Sequence, residues 1–111
     1  MELNQTFNTP DFEDIIQQNS SVMVYFYHAK CGVCKTLFPK VKDLIEKEFP
    51  KMEFLVLDAE QNLKIAAQLR MLTVPGIVVF FEGKEFFRAN GLVSLADLEN
   101  KIERYYSLMY A

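Results

Sequence analysis

The fold is decided by the stretch from Val22 to Cys34, which reads VMVYFYHAKCGVC. Its first six residues are all apolar, a pattern typical of a central strand that is covered on both faces. Cys31 and Cys34 are the only cysteines in the chain, and a helix-like segment follows them. A C-x-x-C between a strand and a helix, close to a βαβ pattern, indicates a dithiol redox site.

The segment after Cys31 has the apolar spacing of an amphipathic helix. Its apolar stripe consists of Cys34, Leu37, Phe38, Val41, Leu44, Ile45 and Phe49. Pro39 lies inside this segment, and we expect it to kink the helix because proline has no backbone N–H to donate. The cysteines are therefore predicted at the N-terminus of a long helix.

Before and after this core, helical and strand patterns alternate. Thr9 is predicted to cap a first helix that ends near Asn19. A second buried strand over 54–57 is followed by a short helix over about 62–69. The first two strands flank a helix, so they should be parallel and joined by a right-handed crossover.

The last third of the chain predicts a hairpin and a helix. Apolar runs over 77–81 and 86–89 flank the turn sequence 82–84, which indicates two antiparallel strands. Ser94 with Asp97 resembles a capping box at the start of the final helix. The predicted order is α-β-α-β-α-β-β-α, an α/β fold in which helices cover both faces of a mixed sheet.

Length and composition predict one domain over residues 1–111, with enough apolar residues for a core. The net charge of −3 gives no basic footprint for nucleic acid, and no apolar stretch approaches a membrane span. The segment Met1–Thr6 has no features of a secretory signal. We therefore expect a cytoplasmic protein without nucleic-acid or membrane partners. In that reducing compartment, a lone cysteine pair favours catalysis or metal binding over a structural bridge.

This arrangement resembles the thioredoxin family over nearly the whole chain. The run Cys31–Lys35 matches the family's Cys-Gly-Pro-Cys-Lys site, and Thr73–Pro75 matches the cis-proline loop that faces the cysteines. Pro39, Asp58 and Gly91 match the family's helix-kinking proline, strand-ending aspartate and late glycine. The resemblance implies a thioredoxin fold with a mixed sheet of four to five strands.

The chain departs from the family pattern at four positions. Lys30 replaces the usual tryptophan, and Val33 replaces the proline between the cysteines. Tyr25 replaces the buried aspartate, and Phe54 replaces the lysine that often accompanies it. The departures indicate a thioredoxin-like relative rather than an ordinary housekeeping thioredoxin.

The resemblance implies a thiol–disulfide oxidoreductase that acts on disulfide-containing proteins or small disulfides. It also implies a thioredoxin-reductase-like partner that reduces the chain again, and the flavin and NADPH belong to that partner. No cofactor or metal is expected on the chain itself, and we expect a monomer. The residues between the cysteines should shift the reduction potential, but the sign for Val33 does not follow from the sequence.

Cys31 is the predicted attacking thiol. A helix N-terminus favours an anion, and Lys30 and Lys35 add positive charge, so we predict a depressed pKa for Cys31. Cys34 lies one helical turn later on the apolar stripe, and it is predicted to be the buried resolving thiol.

Tyr25 and His28 are predicted to tune the site, together with Lys35. A phenol titrates near ~10, so Tyr25 cannot replace a buried carboxylate well, and we expect slower resolution than in a typical thioredoxin. Strand alternation directs His28 to the opposite face from Tyr25, where it could tune Cys31 from the rim.

The substrate surface is predicted around the cis-proline loop. A cis bond between Val74 and Pro75 would expose the backbone of Val74, which a substrate peptide could pair with as an added strand. The predicted rim residues are Tyr27, Lys30, Gly32, Val33 and Gly91.

Two other interpretations of the cysteine pair, a metal site and a structural disulfide, remain open on the sequence. His28, Cys31 and Cys34 could bind a metal with Asp58 as a distant fourth ligand, whereas a closed zinc site usually needs four ligands. A structural disulfide would close too short a loop to stabilise the fold much. For the function of the whole protein, the main alternative is a thioredoxin-fold module that binds a partner and has weak redox turnover. The third candidate function is a cysteine-ligated metal carrier.

Overall fold

A computed structural model describes residues 5–111 of the chain. Met1–Asn4, which form most of the segment considered for a secretory signal, lie outside the described residues. The elements are α1 (Thr9–Gln18), β1 (Ser21–Tyr27), α2 (Gly32–Glu48), β2 (Glu53–Asp58), α3 (Leu63–Gln68), β3 (Gly76–Phe81), β4 (Lys84–Asn90) and α4 (Leu95–Met109). The order predicted from the sequence is confirmed. No helix within the described range is long and apolar enough to cross a bilayer.

The four strands form one mixed sheet in the order β2-β1-β3-β4. β1 pairs in parallel with β2 and antiparallel with β3, and the β3–β4 hairpin adds the antiparallel edge. All seven residues of β1 are buried, as the unbroken apolar run predicted. β1 therefore has a hydrogen-bonded neighbour on each side and a covered face above and below.

Each face of the sheet carries its own apolar cluster. Met23, Tyr25 and Tyr27 point to one face, where they pack with apolar residues of α2 and α4. The alternate residues of β1 point to the other face and pack with residues of α1 and α3. Helices on both faces, as predicted, follow from this alternation of two apolar sets along one strand.

The N-cap residue predicted for α4 is confirmed, and the one predicted for α1 is wrong. Asn8, not Thr9, is the N-cap of α1, and its side-chain oxygen accepts from the backbone N–H of Asp11 at 2.8 Å. Asparagine is among the strongest capping residues, so the residue before Thr9 satisfies the free N–H groups of the first turn. Ser94 caps α4 as predicted, accepting from Asp97 N–H at 3.2 Å. Pro39 lies inside α2, which continues through it to Glu48.

Gly76 begins β3 directly after the loop at 73–75 and lies against a buried methionine. A Cβ built on Gly76 would overlap the Sδ and Cγ of Met71, which is 3% exposed. We predict that Gly76→Ala lowers the free energy of unfolding by about 1–3 kcal/mol, the usual cost of overpacking a core. Urea denaturation followed by circular dichroism measures the change.

Gly32→Ala is the matched control for this prediction. Apart from its chain neighbours and the backbone of its own helix, no atom lies within 4 Å of a Cβ built on Gly32, so the added methyl meets open space. Its free energy of unfolding should stay equal or rise slightly, because alanine restricts the unfolded chain more than glycine does. Equal stability of Gly76→Ala and Gly32→Ala would contradict the predicted clash with Met71.

Candidate active site

The two cysteines form a disulfide at the N-terminus of α2, with their Cα atoms 5.2 Å apart. Cys31 is the N-cap residue of the helix, and its Sγ accepts from the backbone N–H of Cys34 at 3.1 Å. Cys31 is partly exposed, whereas Cys34 is 0% exposed within the apolar cluster on the α2 face. The pair thus presents one accessible sulfur and one enclosed sulfur.

A short turn carries the chain from β1 to Cys31. The backbone N–H of Cys31 donates to the carbonyl of His28 at 3.1 Å, and the N–H of Lys30 donates to the His28 Nδ1 at 3.3 Å. The His28 side chain lines a groove with Leu63 and Val74, on the opposite face of the sheet from Tyr25. The predicted separation of His28 from Tyr25 is therefore what the structure shows.

The surroundings of Cys31 favour negative charge on its sulfur. The first turn of α2 contains no acidic residue, and Lys30 and Lys35 are exposed beside the helix terminus. The sequence from His28 to Lys42 contains four lysines and no aspartate or glutamate. A helix N-terminus and nearby cations both stabilise an anion, so a thiolate at Cys31 meets favourable electrostatics once the disulfide is reduced.

The loop that precedes β3 is closed by contacts with the end of β4. The Val74–Pro75 bond is cis, as the sequence predicted, and the carbonyl of Pro75 accepts from the N–H of Gly91 at 2.8 Å. Gly91 has a φ of 72°, a conformation that glycine adopts at little cost. The side-chain amide of Asn90 donates to the carbonyl and the hydroxyl of Thr73 at 3.2 and 3.1 Å. Pro75 and Gly91 are thereby held together.

Two apolar grooves flank this region, and they contain residues that the sequence did not single out. One groove of about 740 Å³ is lined by Val33 and Leu92 among others, and the second, of about 490 Å³, includes Leu63 and Leu72. The side chains of Leu63, Leu72 and Leu92 are 67%, 85% and 84% exposed. Leu72 and Leu92 lie in loops, where no helical or strand periodicity drew attention to them, and Leu63 is the first residue of α3. Apolar residues in predicted loops are nevertheless a usable signal.

Tyr27 lies under the site and not on its rim. Its side chain is only 4% exposed because the last residue of β1 points into the apolar cluster that also contains Cys34. Burial, and to a smaller extent the carboxylate of Asp58, raise the pKa of Tyr27. The rim residues predicted with it are accessible to different degrees: Lys30, Gly32 and Val33 are exposed, and Gly91 is partly exposed.

Tyr25 and Phe54 meet in an aromatic cluster with Phe38. The ring centroid of Tyr25 is 5.7 Å from that of Phe38 and 6.5 Å from that of Phe54. The Tyr25 hydroxyl donates to the backbone carbonyl of Cys34 at 2.7 Å. Burial raises the pKa of Tyr25 far above its ordinary value, so the phenol stays neutral at physiological pH. The two positions that correspond to the family's buried aspartate and lysine are therefore occupied by uncharged rings.

Asp58 stabilises the turn between β2 and α3. Its carboxylate accepts from the backbone N–H of Glu60 at 2.8 Å, and its own carbonyl accepts from Asn62 N–H at 2.9 Å. Over residues 5–111, no three His, Cys, Asp or Glu side chains are grouped so that they could hold a metal ion. His28, Cys31, Cys34 and Asp58 are thus not brought together as a ligand set.

Comparisons with known proteins agree on one family. The family model described as Thioredoxin matches residues 4–104. "Thioredoxin-like protein YdfQ" of Bacillus subtilis is 28% identical over 96 residues, covering 86% of this chain and 85% of that protein. A "Thioredoxin" of Staphylococcus saprophyticus is 28% identical over 95 residues, covering 86% of this chain and 90% of that protein.

Solved structures show the same architecture. Mitochondrial thioredoxin 3 from Saccharomyces cerevisiae, in its oxidized form, superposes with a TM-score of 0.82 at 25% identity, over 92% of this chain and 94% of that one. Fasciola hepatica thioredoxin gives a TM-score of 0.76 at 32% identity, over 86% of this chain and 91% of that one. The predicted α/β fold with a four-stranded mixed sheet is confirmed.

The Asn90 clamp on the loop before Pro75 gives a stability prediction. Asn90→Ala removes the bonds to Thr73, together with a contact from the amide nitrogen to Met71 Sδ at 2.9 Å. We expect the free energy of unfolding to fall by about 1 kcal/mol, because these bonds are partly exposed to water. Urea denaturation measures this loss, and amide hydrogen exchange should be faster at Gly91, whose N–H donates to the carbonyl of Pro75. Asn100→Ala, on the exposed side of α4, is the control; an equal loss there would refute the clamp.

Proposed function

The chain belongs to the thioredoxin family and is a thiol–disulfide oxidoreductase, and from this premise we propose that it reduces disulfides of other proteins. Cys31 is the attacking residue and Cys34 the resolving residue. The observation that carries this assignment is the contrast between the sulfurs, since Cys31 is partly exposed at a helix N-terminus and Cys34 is fully buried. A substrate can therefore reach only Cys31 first.

The reaction proceeds in two exchanges. The thiolate of Cys31 attacks one sulfur of the substrate disulfide, forms a mixed disulfide and releases the other substrate sulfur as a thiolate. The sulfur of Cys34 then attacks Cys31, and the bond to the substrate breaks with its electron pair leaving on the substrate sulfur. The substrate gains two electrons and ends as two thiols, and the Cys31–Cys34 disulfide is restored.

The N-terminus of α2 supports the first exchange. The N–H of Cys34 points at the Cys31 sulfur, and Lys30 and Lys35 add positive charge that is exposed to solvent. A stabilised thiolate is a larger fraction of the thiol at neutral pH, which raises the rate of attack. Lys35 and His28 belong to this proposal as tuning residues, with His28 acting through the turn that holds Lys30 and Cys31.

Substrate docks beside the loop before β3. We assign an extended substrate segment to the backbone of Val74, which is half-buried next to Pro75 and lines the groove that contains Leu63 and Leu72. Val33 and Leu92 offer apolar contact on the α2 side. Gly32 and Gly91 leave room for a close approach, since no atom lies within 4 Å of a Cβ built on either glycine. Apolar contact supplies affinity, and backbone pairing sets the direction of the substrate.

A reductase must return the oxidised pair to the dithiol, and we propose a thioredoxin-reductase-like enzyme that brings its own flavin and NADPH. We also propose the cytoplasm as the working compartment and a part in cell redox homeostasis and electron transfer to disulfide substrates. The support is the cysteine content, because a lone C-x-x-C pair suits catalysis in a reducing environment.

A second candidate function is a partner-binding module with weak redox turnover. The exposed leucines at 63, 72 and 92 favour it, because large exposed apolar patches mark interaction sites. Cys31→Ser separates the two functions, since it abolishes disulfide reduction and leaves docking through these leucines intact. Retained binding in that variant without turnover in the parent protein would support the second function.

The reduction potential of the pair tests the proposed function directly. The protein is equilibrated with glutathione redox buffers, and the thiols are counted by mass spectrometry after alkylation. We expect a reversible two-electron transition closer to the about −270 mV of a thioredoxin than to the about −120 mV of a strong bacterial disulfide oxidant. A potential near that of the oxidant would mean that the protein oxidises its substrates and does not reduce them. The absence of any reversible transition would contradict the oxidoreductase function.

Cys34→Ser should convert the cycle into a trap. Without the buried thiol the first exchange still occurs, but the mixed disulfide on Cys31 persists because nothing resolves it. We expect intermolecular disulfide adducts with substrate proteins on non-reducing gels, and their loss on addition of a reductant. Cys31→Ser is the matched control and should form none; adducts at equal yield through Cys34 would contradict the assigned roles.

A further inference from the structure

Tyr25 joins the central strand to the helix that carries both cysteines. Its side chain is 0% exposed, and its hydroxyl donates to the carbonyl of Cys34, nine residues later, at 2.7 Å. A buried hydroxyl keeps such a bond because losing it would leave a polar group with neither a partner nor water. The bond therefore ties the resolving cysteine to the sheet.

The ring of Tyr25 is held on two sides, so its hydroxyl has one direction. Phe38 lies 5.7 Å and Phe54 lies 6.5 Å from it, centroid to centroid, and these two rings stack on each other at 6.2 Å. Packed aromatic side chains keep fixed rotamers in a dense interior. Because the ring cannot swing away, Tyr25 constrains Cys34 rather than following it.

The same bond reaches Cys31 through the backbone. The carbonyl of Cys34 accepts from Tyr25, and the N–H of the same peptide group, on Lys35, donates to the carbonyl of Cys31 at 3.3 Å. Linked hydrogen bonds polarise and strengthen one another. Pro39 also removes the N–H that the carbonyl of Lys35 would receive in a regular helix, so the first turn of α2 gains more from outside support.

We propose that Tyr25 is the positioning residue of the resolving step, in which its hydroxyl holds Cys34 on the sheet while Cys31 carries the substrate. The inference rests on the two-step cycle proposed above. Opening the Cys31–Cys34 bond frees the two sulfurs to separate, and the second exchange needs the Cys34 sulfur back in line with Cys31. Because the hydrogen bond to Tyr25 fixes the backbone of Cys34, the alignment then depends mainly on the position of Cys31.

Cys34 has to lose a proton before its sulfur can attack, and Tyr25 is not the group that takes it. Of residues 5–111, the buried polar or charged ones are Ser21, Asp58 and Asn62, and the Tyr25 hydroxyl is the side-chain group that bonds to the backbone of Cys34. Burial keeps the neighbouring phenol of Tyr25 protonated, so it acts as a donor to the backbone and not as a base. Cys34 attacks as its thiolate, after its proton has passed to solvent, and forms the new bond to Cys31; the departing substrate sulfur takes the electron pair and then a proton from solvent.

Tyr25→Phe tests the tether, because it removes one oxygen and keeps the ring. Reduced protein is mixed in a stopped-flow instrument with excess chromogenic disulfide, dithiobis(nitrobenzoate). The first coloured thiolate reports attack by Cys31, and the second reports resolution by Cys34. We expect the first phase to change less than about twofold and the second to slow about tenfold, the equivalent of about 1.4 kcal/mol and within the range of one hydrogen bond.

Tyr106→Phe is the matched control. Its hydroxyl also bonds to a backbone group, accepting from the N–H of Lys51 at 2.9 Å at the far end of the fold. Both phases should match the parent protein there. The proposed role of Tyr25 would be wrong if the rate of the second phase were unchanged in Tyr25→Phe, or if it fell only as much as the rate of the first phase. Absence of the first phase in the parent would instead refute the redox cycle and the inference with it.

Phe38→Leu keeps the hydroxyl and loosens the ring, and so provides a test if Tyr25→Phe fails to fold. We expect its second phase to slow about twofold to threefold with the first phase unchanged. The double variant should be no slower than Tyr25→Phe alone, because residues that act through one contact are not additive. Full speed in the second phase of Phe38→Leu, or additive slowing in the double variant, would contradict the proposal.

Discussion

The position of every reactive group depends on the burial of β1. This strand is hydrogen-bonded to β2 on one side and β3 on the other, and all seven of its residues are buried. Because its two faces anchor separate apolar clusters, shifting its register by one residue would exchange the two sets of side chains. The register that buries Tyr25 under α2 therefore also fixes where the chain turns at His28 and where Cys31 begins the helix.

The sequence was sufficient for those features that depend on periodicity and local chemistry. The run at 22–27 predicted the central strand, and the apolar spacing after Cys34 predicted α2, because burial imposes these patterns directly. The hairpin at 82–84 was also predictable, and Glu82 and Gly83 take the positive φ values of 52° and 78° that suit a tight β-turn. The N-cap of α1 was misplaced, since Asn8 and Thr9 are both good caps and the sequence does not rank them. β4 begins at Lys84, inside the predicted turn, and is longer than the predicted strand over 86–89.

The features that the sequence missed depend on contacts between distant segments. The bond from Tyr25 to Cys34 requires both the strand register and the helix position, and no spacing rule contains both. Tyr27 was predicted as a rim residue, yet its side chain turns inward and is 4% exposed. The exposed Leu72 and Leu92 line two separate grooves, and each groove is formed by segments that are distant in sequence. Such contacts cannot be predicted from the residues that neighbour each position in the sequence.

The aromatic cluster under α2 leaves the resolving step without a buried carboxylate at the position of Tyr25. A buried carboxylate with a lysine partner must offset the loss of hydration of two charges, and such pairs often contribute little net stability. Tyr25, Phe38 and Phe54 fill that region with neutral rings, and the only polar atom they add is a hydroxyl that already has a partner. A site built this way can still resolve a mixed disulfide, provided that geometry, through a fixed Cys34, replaces the help of a buried base.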